Sequence, residues 1–290
     1  MDRLRKKPVQ PEEPADGLFL YRYRARIRAD TIRDDITARL ITALEKSGGD
    51  PLQDGDILVL AESMVATAEG RLVPLYTITP SPRACELAGT YGMDPRVVEV
   101  VLRESDEVIG GIPGFLLCMK GGTLLPNAGV DGSNAPYGCL VPLPADPDAS
   151  AESIRAEIRN RCSVHVGVII ADSRVHAMRS GCSGVAVGCS GIPSVTGERE
   201  STAISGRPFG GKERAVADMI ASAAEIVMGE ADEGVPFVVV RGLGLPITDT
   251  TGVKKVRPSD CLFMRGLRPG IPAGQPRPLR TKVDMHGSKT

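Results

Sequence analysis

Apolar positions along the chain alternate between unbroken runs and four-residue spacing, and each change of period marks an element. Ile32, Ile36, Leu40 and Leu44 recur every fourth residue behind Asp30 or Thr31, which predicts a capped helix with one apolar stripe, ending at Gly48-Gly49. DILVLAESMV (56–65) opens as a short apolar strand after the turn LQDGD. SPRACELAGTYG and DPRVVEVVLRES each offer a cap residue followed by Pro at the first helical position, where a missing N–H costs nothing, so two short helices follow. GFLLCM and GTLLP read as neighbouring strands joined through Lys120-Gly121-Gly122, with NAGVDGSN as a Gly-rich loop behind them. The acidic DPDASAESIRAEIRNR reads as a capped surface helix.

VHVGVIIADS (164–173) is the densest Val/Ile run, the pattern of a strand buried on both faces, and it ends at a carboxylate. GVAVG (184–188) is expected beside it. KERAVADMIASAAEIVMG (212–229) spaces Val216, Met219, Ile220, Ala223 and Val227 for a helix lying on that sheet, and Gly229 should break it before the strand VPFVVVRG. No strict βαβ rhythm and no fixed-period repeat occurs, so the expected class is α+β with mixed sheets, in two interlocked lobes rather than one doubly wound sheet. Residues 1–16 and 266–290 are rich in Pro, Gly and charge and poor in aliphatics, which predicts flexible ends around one body spanning 17–265.

Charge and composition narrow the partners. Lys plus Arg number 35 against 36 for Asp plus Glu in 290 residues, so no chain-wide field attracts nucleic acid or anionic lipid. Aromatic residues are 3% with no Trp, which removes base-stacking platforms. No run approaches the ~18 apolar residues of a membrane span. The seven Cys include no C-x-x-C pair, and a cytoplasmic protein with reduced thiols is expected. Three His, at 165, 176 and 286, are too few for imidazole-built metal sites, so carboxylates must do most metal binding.

Carboxylates and amides gather where the chain bends: Asp131 and Asn134 in NAGVDGSN, Asp172 and Ser173 in IIADS, and Glu230, Asp232 and Glu233 in VMGEADEG. Any one of these taken alone most often caps a turn. Together they offer what Mg²⁺ or Mn²⁺ needs, oxygen ligands converging from separate segments and shared with phosphates. Gly121-Gly122, Gly129, Gly132 and Gly210-Gly211 would let backbone amides approach a phosphate, although neither a P-loop nor a G-x-G-x-x-G motif is present. Arg174, Arg179 and Arg207 are candidates for a phosphate or a substrate carboxylate, against the ordinary reading of solvated surface charge. His176 has only its nearness in sequence to Asp172 in its favour, and Cys182 and Cys189 read better as small packing side chains than as nucleophiles.

DGDILVLAESMVATAEGRLVPL, DPRVVEVVLRES, NAGVDGSN, LPADPDASAESIR, VGVIIADS, SGVAVG, AVADMIASAAEIVMGEADEGVPFVVVRG and VRPSDCLF, in this order, resemble the coenzyme F420:L-glutamate ligase family from about Ile27 to Phe263. The resemblance implies an α+β fold forming an intertwined homodimer. It also implies an amide ligase that uses GTP, Mg²⁺ or Mn²⁺ and K⁺ to join the amine of L-glutamate to a carboxyl group of a small-molecule acceptor, the deazaflavin precursor, and then to extend the γ-linked glutamate tail by γ-glutamyl ligation. Carried over by position, Asp131, Asp172, Ser173 and Glu230 match metal ligands, with Asp131, Asp172 and Arg179 at the reacting centre. Ser63, Thr67, Asn134 and the stretch Met228, Gly229, Asp232, Glu233 and Gly234 match nucleotide contacts. Ser63 and Thr67 stand where the family usually carries lysines, SRVHAMR replaces Thr-Phe-Gly-Arg-Pro-Trp-Arg after Asp172, and Ala203 replaces an Asp. These departures mark a divergent member. Two alternatives stay open beside deazaflavin ligation: a γ-glutamyl ligase for a folate or pterin, and a catalytically silent binding or scaffold protein.

Overall fold

Local signals set most of the helices. Ser81 and Asp94 accept hydrogen bonds from the backbone N–H groups of Ala84 and Arg96, and the prolines that follow open α3 (Pro82–Tyr91) and α4 (Pro95–Glu104). Asp146 and Pro147 do the same for α5 (Pro147–Cys162). In the computed structural model, which describes residues 19–23, 35–46, 50–197, 213–230 and 233–267, the remaining helices are α1 (Ile36–Lys46), α2 (Glu62–Ala68), α6 (Val216–Met228) and α7 (Leu262–Leu267). The strands are β1 (Phe19–Tyr23), β2 (Ile57–Ala61), β3 (Val73–Pro74), β4 (Glu107–Ile112), β5 (Phe115–Lys120) and β6 (Thr123–Pro126). They continue with β7 (Cys139–Leu140), β8 (Gly167–Val175), β9 (Cys182–Ser190), β10 (Thr196–Gly197), β11 (Glu213–Arg214) and β12 (Phe237–Arg241). The proposed caps Asp30 and Thr31, the stop at Gly48-Gly49, Arg207 and the segment 1–16 lie outside the described residues.

The chain divides into two units, Met1–Lys120 with Leu124–Lys254, and Gly121–Thr123 with the chain from Lys255 onward. In the second unit Lys255 lies over Gly121 and Gly122, and α7 buries Met264. The first is built on a five-stranded sheet in the order β1-β12-β2-β8-β9. Only β2 and β8 run parallel; the other pairs are antiparallel, so the expected α+β class with mixed sheets holds. Leu58, Leu60, Val168 and Ile170 face a core with α1, α2 and α5, and Ile57, Val59, Ile169 and Ala171 face a second core under α6. A third core joins α3 and α4 to Leu116 and Cys118 of β5, within the β4-β5-β6 sheet.

Two details control how the helices sit. A β-bulge in β9 places Ala186 opposite Ala171 and Gly188 opposite Ile170, so Val187 is the extra residue. Ala186 faces the α6 core, Val187 faces the α5 core, and Cys189 returns to the α6 side. Side-chain volume then decides which face of α6 turns inward. A Cβ on Gly184 would lie 2.5 Å from the Ala221 carbonyl oxygen, so the helix docks through small residues: Ala217, Ala221 and Ala224, with Ile220 and Met228, are buried. Of the expected inward set only Ile220 is fully buried, and Met219 is 59% exposed. The helix is rotated by about one residue from the face its bulkier side chains suggest. The expectation of a surface helix for 147–162 also needs correction, because α5 buries Ala151, Ile154 and Ile158 on the other face of the sheet.

Arg241, at the end of β12, closes this layer with a two-pronged ion pair to Asp56. Its Nε is 2.7 Å from Oδ1 and its Nη2 is 2.7 Å from Oδ2 of a carboxylate that is 1% exposed.

Candidate functional site

The parallel pairing of β2 with β8 runs Leu58 to Val168, Val59 to Ile169, Leu60 to Ile170 and Ala61 to Ala171. At this register both chains read Ala, carboxylate, serine: Ala61-Glu62-Ser63, where β2 ends, and Ala171-Asp172-Ser173, where β8 runs on to Val175, so Asp172 lies inside the strand and not at its end as expected. In-register pairing therefore sets Glu62, just past the end of β2, beside Asp172 within β8. There α2 begins at Glu62 without a side-chain cap, and Asp172 and Arg174 leave β8 on one face while Ser173 leaves on the other.

Segments distant in sequence add more acid. The NAGVDGSN loop joins Val141 through a two-way backbone bridge at Asp131, whose carboxylate accepts from Ser133 N (3.0 Å), Ser133 Oγ (2.6 Å) and Asn134 N (3.4 Å). On the α6 side Ser173 Oγ donates to Glu230 Oε2 at 2.8 Å. Glu225, one turn earlier on α6, has a buried Oε2 with no hydrogen-bond partner among the described residues. Glu230 is its nearest acidic influence, and two carboxylates bond only when one holds a proton.

The electrostatics follow from this crowding. Burial, and then the charges of Asp172 and Asp131, push the Glu62 carboxyl well above its ordinary range, against the pull of the backbone N–H groups at the start of α2. Asp172 is raised by burial and by Asp131 and Glu230, although Arg174 opposes the shift through an Nε to Oδ2 bond of 2.9 Å. Burial and the proximity of Glu230 raise Glu225 to about 8. An all-oxygen donor set, mutual repulsion and an orphaned buried carboxylate oxygen fit a hard divalent cation. Among the described residues no three His, Cys, Asp or Glu side chains stand close enough together to hold a metal ion.

The expected residues do not all come together. Asp131, Asp172, Ser173 and Glu230 come together, with the exposed Asn134 bonded to Asp131 through its backbone N–H. Ser63 and Thr67 are buried inside α2, next to Glu62 in the chain. Met228 is buried at the end of α6; Gly229 ends the helix at φ 78°, and a Cβ there would collide with the Glu233 carboxylate, so this tight loop requires glycine. Glu233 and Gly234 are exposed, and Asp232 lies outside the described residues. Arg179 sits in the exposed β8–β9 turn, its backbone N–H bonded to the His176 carbonyl, and no described contact brings its guanidinium to the carboxylates. His176 Nε2 bonds Ser183 Oγ at 2.6 Å instead of Asp172. Cys189 is a packing residue, its thiol pushed up to about 12 by burial, whereas Cys182 at the start of β9 is exposed and does not pack as expected.

Two groups were missed in the sequence, Glu62 and Glu225. The first left a signal: LVLAES and VIIADS repeat one pattern of three apolar residues, Ala, acid and Ser. Glu225 left none, since its surroundings are made by β9 and the loop after α6.

The family model for F420-0:Gamma-glutamyl ligase matches residues 26–242. A coenzyme F420:L-glutamate ligase of Methanopyrus kandleri is 45% identical over 71% of this chain and 82% of its own length. Proteins of the same description from Methanocaldococcus jannaschii and Archaeoglobus fulgidus are 41% and 40% identical, over 72% and 67% of this chain and 84% and 78% of their own lengths.

Proposed function

The chain belongs to the F420-0:gamma-glutamyl ligase family, and from that premise we propose that it is a C–N ligase that joins the amine of L-glutamate to a carboxyl group of a coenzyme F420 precursor and then extends a γ-linked glutamate tail. The observation that carries this reading to the site is the pairing of β2 with β8, which sets Glu62 beside Asp172 and within the influence of Asp131.

A carboxylate is a poor acyl donor. In the proposed reaction its oxygen attacks the terminal phosphorus of GTP, GDP leaves, and an acyl phosphate forms. The glutamate amine then attacks the acyl carbon, phosphate departs, and the amine gives up its proton. Mg²⁺ or Mn²⁺, held by Asp131, Asp172, Ser173 and Glu230 with Glu62 and Glu225 in electrostatic range, would neutralise phosphate charge, and K⁺ is the further expected ion. Ser63, Thr67, Asn134 and the stretch Met228–Gly234 would line the nucleotide. The task of the protein is positioning: the Ser133 and Asn134 amides fix Asp131, Arg174 fixes Asp172, and Ser173 fixes Glu230.

Asp172→Asn is expected to lower ligation by about 100-fold or more while the protein remains folded, as expected of a group aimed at developing charge. Product formation from precursor, glutamate and GTP, with circular dichroism as the folding control, checks it; full activity would remove Asp172 from the site. The finer expectation of an intertwined homodimer is tested by light scattering, where a monomer mass would refute it.

A further inference from the structure

Among the described residues two arginines are buried, Arg155 and Arg174, and their surroundings differ. Arg155 is satisfied along its fork: Nη1 meets Glu152, and Nη2 meets the Thr248 carbonyl and Asp249. The Arg174 side chain is only 8% exposed, yet its sole side-chain bond is from Nε to Asp172. Both terminal amino groups of its guanidinium are without a hydrogen-bond partner among the described residues. The two amino groups are not among the buried unsatisfied atoms, so they keep contact with solvent while the rest of the side chain is covered, and the guanidinium presents its free edge outward. Its place sharpens the point. Arg174 follows Asp172 by two positions on the same face of β8, so it is a buried cation beside a group of carboxylates that raise one another's pKa.

We propose that Arg174 is a further substrate-binding residue, whose two free amino groups receive the terminal phosphate of the nucleoside triphosphate while Asp172 fixes the guanidinium through Nε. This rests on the ligase reading given above. The fork of a guanidinium matches two oxygens of a tetrahedral phosphate, and its charge does not depend on pH, unlike that of the surrounding acids. The pair with Asp172 holds one side chain for a cation and another for a phosphate at a fixed distance before either arrives. Buried, the interaction is screened by salt much less than at a surface.

The test is calorimetric titration of the full chain with a non-hydrolysable GTP analogue and with GDP, each in the presence of Mn²⁺, for wild type, Arg174→Gln and Arg174→Lys. Both variants should bind the triphosphate about tenfold more weakly or worse, the scale of one lost charge-assisted pair. GDP affinity should be unchanged, so the preference for triphosphate over diphosphate collapses. Arg174→Lys keeps a charge opposite Asp172 and covers the case in which Arg174→Gln fails to fold. Equal losses for both nucleotides would reveal a merely structural role and overturn the proposal. So would unchanged nucleotide affinity with a raised KM for the acceptor or glutamate, which would assign the fork to a carboxylate. Wild type that binds neither nucleotide would overturn the ligase reading as well, whereas wild-type binding with indifferent variants overturns only the role of Arg174.

Discussion

Glu225 carries a measurable pH signature. In the folded chain it keeps its proton to about 8, against 4.5 for the free group, because burial and Glu230 penalise its charge. Between those values the folded state binds more protons than the unfolded state, so stability is full below about 4.5 and declines as pH rises through about 8. Glu62 and Asp172 are shifted in the same direction and add to the slope. The melting temperature of the metal-free protein should therefore fall from about pH 5 to about pH 9, and Glu225→Gln should flatten part of that fall; an unchanged slope in the variant would show that Glu225 is not the group responsible. At this scale the sequence was informative where chemistry is local. Asp131 and Glu230 announce themselves by standing in Gly-rich bends, and Asp172 by following the Val/Ile run, although β8 continues past it to Val175. Glu225 lies within a regular helix, where an acid reads as solvated, and only Gly184 of another strand makes room for its carboxylate, since a Cβ there would lie 2.5 Å from its Oε2.

Helix starts were legible for the same reason. Ser81-Pro82, Asp94-Pro95 and Asp146-Pro147 act within one turn of chain, and each opens a helix where the pattern places it. The inward face of α6 was not legible, because it depends on the glycine it meets across the layer. This gives two contrasting outcomes in urea unfolding. Ala221→Leu should cost about 1–3 kcal/mol by overpacking against β9. Met219→Glu should stay within about 0.5 kcal/mol, as exposed substitutions do. A large loss at Met219 together with tolerance at Ala221 would restore the face chosen from bulk alone.

For the whole molecule, strand order could not be read from the chain. Apolar runs mark β2 and β12 as strands, while β1 carries no such mark, and nothing local says that β12 enters between β1 and β2. Arg241 and Asp56 lock that arrangement, and Asp56→Ala should destabilise the protein by about 2–3 kcal/mol, the scale of lost hydrogen bonds to a charged group, because Arg241 keeps Asp50 and the Pro51 carbonyl. Chemical denaturation checks it, and a loss below about 1 kcal/mol would reduce the pair to a surface contact. The same insertion governs how the chain comes off the ribosome. Until Phe237–Arg241 has emerged, β1 has no neighbour in the sheet and β2 keeps one bare edge, even with β8 and β9 already paired. Nascent chains halted short of Arg241 would present that apolar edge to one another. Chains truncated before Phe237 are therefore expected to self-associate more than chains extended past Arg241, which sedimentation of the two released products would check.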